Sequence, residues 1–400
     1  MRVLGLQMTL SCLLLGGCEP YKAPCHVSAR NRVLQGGGFQ LQRLDPDRIA
    51  ALRGPGAIPV DCSTPDECLD AYQRAARSVA IVVLTTAGEI LESHTIELPA
   101  AAVSSSSVER VLRAPLWTGQ GVGLLQLGTE DLSPDENGQH ERSFLTYQHV
   151  DLDSVATTPI ELSDTSCVDC RISVAAQFFG DHAVVLFAQS SISLDQSVVP
   201  TPWRFLSLNV TGEVRASGIL EWIVPGSFVA FEVAQHGDGL VVSTGGEAWL
   251  VDANLMPLAG PVADNGGYEF GSAGSGGAAI DWNFNVDVAA ISWMEEGSVM
   301  LMRTNVVGDT VGSVQRLSSG GTVDAVFVTA KFVASVFSDQ GSEYVAVTTL
   351  DAKKVGGDVT LMDDVVVSTP PVLAETPEGD LAIFTTTGSA LERSEVSCEP

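Results

Sequence analysis

This 400-residue sequence predicts an all-β fold made of repeated four-stranded sheets. From Val79 to Val396, short β-branched and aromatic runs alternate with clusters of Gly, Asp, Asn and Ser, the composition of strands and their turns. A hairpin-like unit recurs along this stretch. It reads "VVLTTAGEILESHTIEL", "YQHVDLDSVATTPIEL", "LSLNVTGEVRASGIL", "AWLVDANLMPLAG", "LMRTNVVGDTVGSVQRL", "VAVTTLDAKKVGGDVTL" and "AIFTTTGSALERSEV". Ahead of most of these sits another strand pair, as in "ISVAAQFFGDHAVVLFAQ", "FVAFEVAQHGDGLVVSTG" and "AVFVTAKFVASVFSD". Two antiparallel hairpins per unit, irregularly spaced around about 45 residues, describe the blades of a β-propeller. Seven hairpins predict seven blades. Six is the alternative count, because the first unit lacks a clear opening pair, and two β-sandwich domains are the rival architecture.

The N-terminal segment has a different character. Arg2 is the sole charge before Glu19, and Val3 to Leu15 is almost wholly apolar. A helix of that length spans roughly 20 Å against the ~30 Å hydrocarbon core of a bilayer, which is the pattern of a signal peptide rather than a membrane span. Its end, Leu15-Gly16-Gly17-Cys18, resembles the lipobox of bacterial lipoproteins. The resemblance implies that the Cys18 thiol is alkylated with diacylglycerol, that the chain is cut just before it, and that the new amine is acylated. The chain then divides into a signal peptide over 1–17, a lipidated tether over 18–37 and a single propeller domain over 38–400. Several acyl chains anchor a protein durably. In the enteric members of that family an Asp after the anchor retains the protein on the inner membrane, so Glu19 points to the outer membrane. The expected location is the cell envelope.

With Cys12 lost in the signal and Cys18 as anchor, Cys25, Cys62, Cys68, Cys167, Cys170 and Cys398 remain. An even remainder in an exported chain predicts disulfides, with their connectivity formally open. Nearness favours Cys62 with Cys68 and Cys167 with Cys170, leaving Cys25 for Cys398. Ring closure gives that last pair a role. The strand "GFQLQRL" (Gly38–Leu44) is expected to complete the blade that "PVLAETPEGDLAIFTTTGSALERSEV" begins, which brings the two chain ends together. A zinc site at Cys167-Val-Asp-Cys170 lacks a second pair at ligand spacing. One helical insertion is predicted over about 45–77. Thr64 caps its main helix, Pro65 takes the first position and Glu67 completes a capping box before Leu69–Arg77. "DPDRIAALR" (Asp45–Arg53) is a weaker helical stretch.

Removing 1–17 leaves 20 basic residues against 49 acidic ones. Such a chain does not bind nucleic acid and is not drawn electrostatically to anionic lipid. Asp281, Asn283, Asn285 and Asp287 stand at every second residue of "DWNFNVDVAAISW", similar to the start of a calcium loop in integrin-type propeller repeats. The run lacks that family's glycine after the third ligand, and its alternation with Trp282, Phe284, Val286 and Val288 is that of a half-buried strand. A strand is therefore expected there, and no metal. The six histidines are scattered; Asp181-His182 and His236-Gly237-Asp238 fall in expected turns. The sequence holds no G-x-S-x-G, H-E-x-x-H or P-loop motif.

The expected function is a membrane-anchored lipoprotein acting as a binding or scaffolding propeller for a protein or carbohydrate ligand. It is expected to be a monomer, without a cofactor and without nucleic acid. In outline this is similar to the propeller lipoprotein of the outer-membrane barrel-assembly machinery, whose repeat motif the chain does not carry. The alternative is an exported propeller enzyme, a polysaccharide hydrolase or lyase. Two or three carboxylates converging within ~5–9 Å at the axis would mark the enzyme, and a plugged axis the scaffold.

Overall fold

The computed structural model describes residues 25–54, 78–98, 109–112, 116–131, 141–167, 171–192, 198–223, 278–306, 309, 313–350, 358–362 and 370–398, together with 229–263 apart from 235, 237–238 and 245–246. Among the described residues every regular element is a β-strand. They form seven antiparallel sheets. From the axis outward, with positions named A to D, blade 1 is Phe39–Asp45, Arg48–Arg53, Ser78–Thr85 and Ile90–Glu97. In blade 2, Glu109–Leu112 and Leu116–Trp117 share position A, followed by Gly121–Asp131, Glu141–Asp151 and Ile160–Cys167. Blade 3 is Arg171–Phe179, His182–Ile192, Arg204–Asn209 and Val214–Ile219, with Val198–Pro200 as an extra paired segment. Blade 4 is Val229–Val233, Leu240–Thr244, Glu247–Val251 and Pro257–Ala263. Blade 5 is Ala279–Asn283, Val288–Glu295, Ser298–Thr304 and Gln315–Ser318. Blade 6 is Thr322–Val328, Phe332–Asp339, Ser342–Thr349 and Val359–Met362. Blade 7 takes Val372–Glu375, Leu381–Thr386 and Ala390–Cys398 from the end of the chain, and its outermost strand, Cys25–Gln35, from the beginning.

The packing establishes a closed ring. Each apolar cluster lies between two successive blades, and there is one for every seam, including that between blade 7 and blade 1. At this last seam Val372, Ala374 and Phe384 meet Phe39, Ile49 and Leu84. Strand B is buried on both faces and reads as a largely apolar run, as in Leu240–Thr244 and Val288–Glu295. Strand D meets solvent and is polar, as in Ile90–Glu97. Every sheet thus has two apolar faces and packs on two neighbours, which separates this fold from tandem sandwiches. The chain is a seven-bladed β-propeller. Five of the six tryptophans, Trp117, Trp203, Trp249, Trp282 and Trp293, are buried in it.

Three expectations are corrected here. The closing strand is Cys25–Gln35, so the strand falls in the segment read as a tether over 18–37; Phe39–Asp45, read as the closing strand, is instead strand A of blade 1. Cys25–Gln35 is polar because an outermost strand buries little more than one side, and from Cys25 to Arg30 its residues alternate between buried or partly buried and exposed. The helical stretch Asp45–Arg53 is a turn followed by strand B of blade 1, whose Ile49, Ala50, Ala51 and Leu52 are all buried. A short apolar run does not distinguish a doubly buried strand from a helix. The remainder of the helical insertion, with Thr64, Pro65, Glu67, Cys62 and Cys68, lies outside the described residues. Finally, the strand through Asp281 ends at Asn283. The Asn283 Oδ1 accepts the Asn285 N–H at 3.0 Å and starts a turn, which Asp287 leaves with φ of 52°.

The link between the closing strand and blade 1 runs against the blade 7 turn at Gly388. The Gly36 N–H donates to Ser389 O at 2.8 Å, and a Cβ on Gly37 would lie 2.0 Å from Gly388 O. Backbone cannot yield there as a side chain would. Gly37→Ala is expected to lower the unfolding free energy by about 2 kcal/mol, on the scale of overpacked sites. The check is a lower denaturant midpoint at unchanged slope.

Candidate functional site

A four-stranded meander reverses at every turn, so the A–B and C–D turns of all blades share one face of the disc, and the B–C turns and blade-to-blade links share the other. The C–D turns of five blades follow one rule. In Thr85–Glu89, Asp151–Val155, Asn209–Glu213, Asp252–Met256 and Asn305–Asp309, the first residue's N–H donates to the carbonyl of the fifth. Its side-chain oxygen accepts the N–H of the fifth residue in return. The fourth residue needs positive φ, met by Gly88, Ser154, Gly212 and Leu255 in the first four. These are the turns of the recurring sequence unit, and they also carry apolar side chains to the surface. Exposed Ile90, Leu91 and Val314 lie at the starts of the D strands.

Toward the axis on the same face lies a polar cluster built from several blades. Asp281, at the centre of strand A of blade 5, is 1 % exposed. Its Oδ2 accepts the Val328 N–H of blade 6 at 2.7 Å. Asn283 Nδ2 donates to the Val328 carbonyl at 2.9 Å, so these two side chains clip both polar groups of one residue in the neighbouring blade. His236, from the A–B turn of blade 4, brings Nε2 to 2.8 Å from that carbonyl and 3.2 Å from Asp281 Oδ2. Its ring stacks on Phe327 with centroids 4.7 Å apart. Arg43, in strand A of blade 1, donates to Leu373 O of blade 7 and to the carbonyls of Asp45 and Pro46. Burial lowers its pKa to about 10, opposed by the negative charges of Asp281, Asp45 and Asp47.

Similar clips join other blades. Gln42 of blade 1 exchanges two hydrogen bonds with the Trp117 backbone of blade 2, and Gln177 of blade 3 donates to Phe231 O of blade 4. Two buried acids sit at the seam between blades 6 and 7, on the opposite face. Glu343 accepts from Thr385 Oγ1 at 3.0 and 3.3 Å, and Asp324 accepts from Ser338 Oγ. Burial pushes Glu343 up to about pKa 7 and Asp324 up to about 6, with Asp324 raising Glu343 further. The hydrogen bonds from Thr385 and Ser338, and the charge of Arg30 on Glu343, act in the other direction.

No protein-family model matches the chain, and no curated protein matches it. Among solved structures, the chain is similar to the Dos1 propeller at 8 % identity, over 93 % of this chain and 96 % of that one, with a TM-score of 0.39. It is also similar to the β-propeller domain of the Trilobed protease from Pyrococcus furiosus, at 12 % identity over 80 % and 84 %, with a TM-score of 0.35. TolB from Acinetobacter baumannii matches at 13 % identity over 80 % and 76 %, with a TM-score of 0.29. The fold rests on the strand pairing and seam packing above.

Of the residues singled out from sequence, Cys25 and Cys398 form a disulfide with Cα atoms 4.1 Å apart, opposite one another in the strand register. Cys167 ends strand D of blade 2, and its side chain lies outside the described residues, as do Cys18 and Cys170. Asp281 and Asn283 belong to the axial cluster, whereas Asp287 Oδ1 turns to the Val306 N–H at 3.3 Å. Among the described residues, no group of three or more His, Cys, Asp and Glu side chains is placed to hold a metal ion. Asp181 and His182 pair at 2.6 Å in an exposed A–B turn of blade 3. Sequence reasoning missed Arg43, Asp324 and Glu343. The available signal was phase: Glu343 shares a strand face with the buried Val345 and Val347.

Asp281→Ala removes the acceptor for a buried N–H and the carboxyl oxygen 3.2 Å from His236 Nε2. We expect a loss of about 2 kcal/mol of unfolding free energy, the usual penalty for an orphaned buried donor, read from denaturant melts. An unchanged midpoint would assign Asp281 no part in holding blades 5 and 6 together.

Proposed function

We propose that this protein is an exported, lipid-anchored propeller that acts as a binding or scaffolding platform in the cell envelope for a protein or carbohydrate ligand. The supporting observation is how the axial polar groups are spent. Asp281, Asn283, Arg43 and Gln42 each bond backbone in a neighbouring blade. A catalytic acid or base must reach a substrate proton, and groups held this way make a rigid ring instead. The lipobox-like Leu15–Cys18 supports the anchor, and the acidic composition fits a soluble platform rather than one for nucleic acid.

The alternative, a polysaccharide hydrolase or lyase, draws on one observation: Asp281 Oδ1 is buried with no hydrogen-bond partner. Degradation of a polysaccharide by the purified protein, lost in Asp281→Asn, would replace the platform reading with this one. The anchor is tested by growth with radiolabelled fatty acid. The wild type is expected to take up label and Cys18→Ala none; equal labelling of both contradicts the assignment of Cys18.

A further inference from the structure

The seam between blades 6 and 7 changes character from one face of the disc to the other. Toward the A–B and C–D turns it is apolar, lined by Cys25, Phe332, Leu381 and Val396. Two hydrogen bonds tie the blades at that end: Glu375 Oε2 accepts the Ala330 N–H at 3.3 Å, and Lys331 Nζ donates to the Glu378 carbonyl at 3.2 Å. Toward the B–C turns the same seam holds two buried acids of blade 6, Asp324 and Glu343. Glu343 takes its hydrogen bonds across the seam, from Thr385 Oγ1 of blade 7, whereas Asp324 takes its own from Ser338 within blade 6.

No buried cation faces this pair among the described residues. Strand alternation, fixed by Leu373, Leu381, Ile383 and Val396, turns Glu375 and Glu392 of blade 7 toward the seam, and no charge from its strand B. Arg393 turns to blade 1, where it donates to the Thr86 carbonyl. The outer strand brings Arg30 and Arg32, which lie opposite Ser394 and Glu392. Both arginines are exposed; Arg32 approaches Glu392 to 3.8 Å, and Arg30 has the smallest influence on Glu343. In blade 6, Asp339 follows Phe337 toward blade 5, and Val359–Met362 carries no charge. A carboxylate formed here sits in a dry interface without a buried counter-ion, and parting the blades returns it to water. Blade 7 can part as a unit, because its four strands pair with one another and Cys25 and Cys398 join its two chain ends.

We propose that the seam between blades 6 and 7 is a pH-sensitive gate, closed while Asp324 and Glu343 are protonated and opening at their face of the disc when they ionise. The blades then part at the B–C end and stay joined at the end tied by Glu375 and Lys331. Burial holds both carboxyl groups above the ordinary range, Asp324 at about 6 and Glu343 at about 7. Both are acids whose pKa is raised by closure. The closed seam is therefore fully favoured below the ordinary carboxyl range and weakens as pH rises through those two values. The gate depends neither on the anchor nor on which ligand the platform binds.

The test reads seam opening in the full-length protein as access to a thiol placed inside it. Ser394, in strand C of blade 7, is buried on the side turned to blade 6. Ser207, in strand C of blade 3, is buried toward blade 4 and serves as reference. The alkylation rate of Ser394→Cys is divided by that of the same protein unfolded in denaturant at the same pH. This ratio is expected to rise about a hundredfold from pH 5 to pH 8, at about tenfold for each unit over which a buried acid titrates. Ser207→Cys, reached when the whole ring unfolds, is expected to react about tenfold or more slowly than Ser394→Cys at pH 8. Asp324→Asn with Glu343→Gln keeps both acceptors and is expected to abolish the rise at Ser394→Cys. The parent protein, labelled in parallel, gives the background from its own cysteines. A ratio at Ser394→Cys that stays level with pH, that only equals the ratio at Ser207→Cys at pH 8, or that rises as steeply in the double amide variant overturns the gate.

Discussion

Replacing Cys25 and Cys398 by serine is expected to lower the unfolding free energy by on the order of 5 kcal/mol. The cross-link spans 373 positions, and in the chain-entropy picture a closure of that length removes most of the freedom a disulfide can remove from the unfolded chain. The folded ring also leans on it. Blade 7 is the one blade whose strands come from both ends of the chain, and Cys25 opposite Cys398 is the first rung of the pairing that joins them. Both cysteines pack with Val27, Leu373, Leu381 and Val396 in the seam between blades 6 and 7. Without the bond the outer strand can peel from the edge before the ring opens. Reductant is expected to lower the melting temperature of the wild type by more than that of the double serine variant, which keeps the other four cysteines of the folded domain. A wild type that melts identically with and without reductant would deny the bridge its structural role.

In the same seam but at the opposite face, Glu343→Gln is expected to stabilise the protein at pH 8 by about 3 kcal/mol, from 1.36 kcal/mol for each unit between the ordinary carboxyl range and a folded value near 7. The sign follows from the direction of the shift. Burial raises the folded pKa above the unfolded one, so the stability linked to Glu343 is fully present below about pH 4.5 and is lost as pH rises through about 7. Asp324 adds a loss of the same sign that is complete nearer pH 6. Glutamine keeps an oxygen to accept from Thr385 Oγ1 and carries no charge to bury. Wild type and variant should thus melt alike near pH 4.5 and diverge steadily toward pH 8. Parallel stability curves across that range would show that Glu343 is not buried as a titrating acid.

Much of this fold is legible in the sequence because the C–D turns repeat a local rule. Thr85, Asp151, Asn209, Asp252 and Asn305 each supply a side-chain acceptor and a backbone donor to the same five-residue turn, and in the first four Gly88, Ser154, Gly212 and Leu255 take positive φ at its fourth position. The recurring hairpins are those turns with their strands. In blade 7 the repeat slips by one strand: "AIFTTTGSALERSEV" is its B–C hairpin, because strand D comes from the N-terminus. That displacement hides the closing strand. Cys25–Gln35 lies against one neighbour and meets solvent beyond, so its composition is that of a tether. Phe39–Asp45 has the apolar pattern expected of a paired strand and belongs to the innermost position of the next blade. The pairing of Cys25 with Cys398 was accessible all the same, since it needs the ends to meet and not the identity of the strand between them.

The axial cluster was legible only in part. Asp281 and Asn283 attract notice through their alternation, but their partner is the backbone of Val328, some 45 residues on, and backbone acceptors leave no trace in a sequence. His236 reaches the same carbonyl from a third blade across 92 residues. Convergence of that kind depends on the angle between blades, which no local pattern encodes. Arg43 and Glu343 are charges at inward positions of strands, the phase at which a buried charge is expensive. Strand phase is therefore the more informative clue to buried polar sites in this chain than residue type.

Ring closure by the N-terminal strand underlies the seam packing and the stability of blade 7. Non-reducing peptide mapping of the native protein tests it most directly. A peptide containing Cys25 linked to one containing Cys398, with neither thiol open to alkylation before reduction, is the expected result. Free reaction of both thiols in the folded protein, or Cys25 linked to any other cysteine, would contradict the closure.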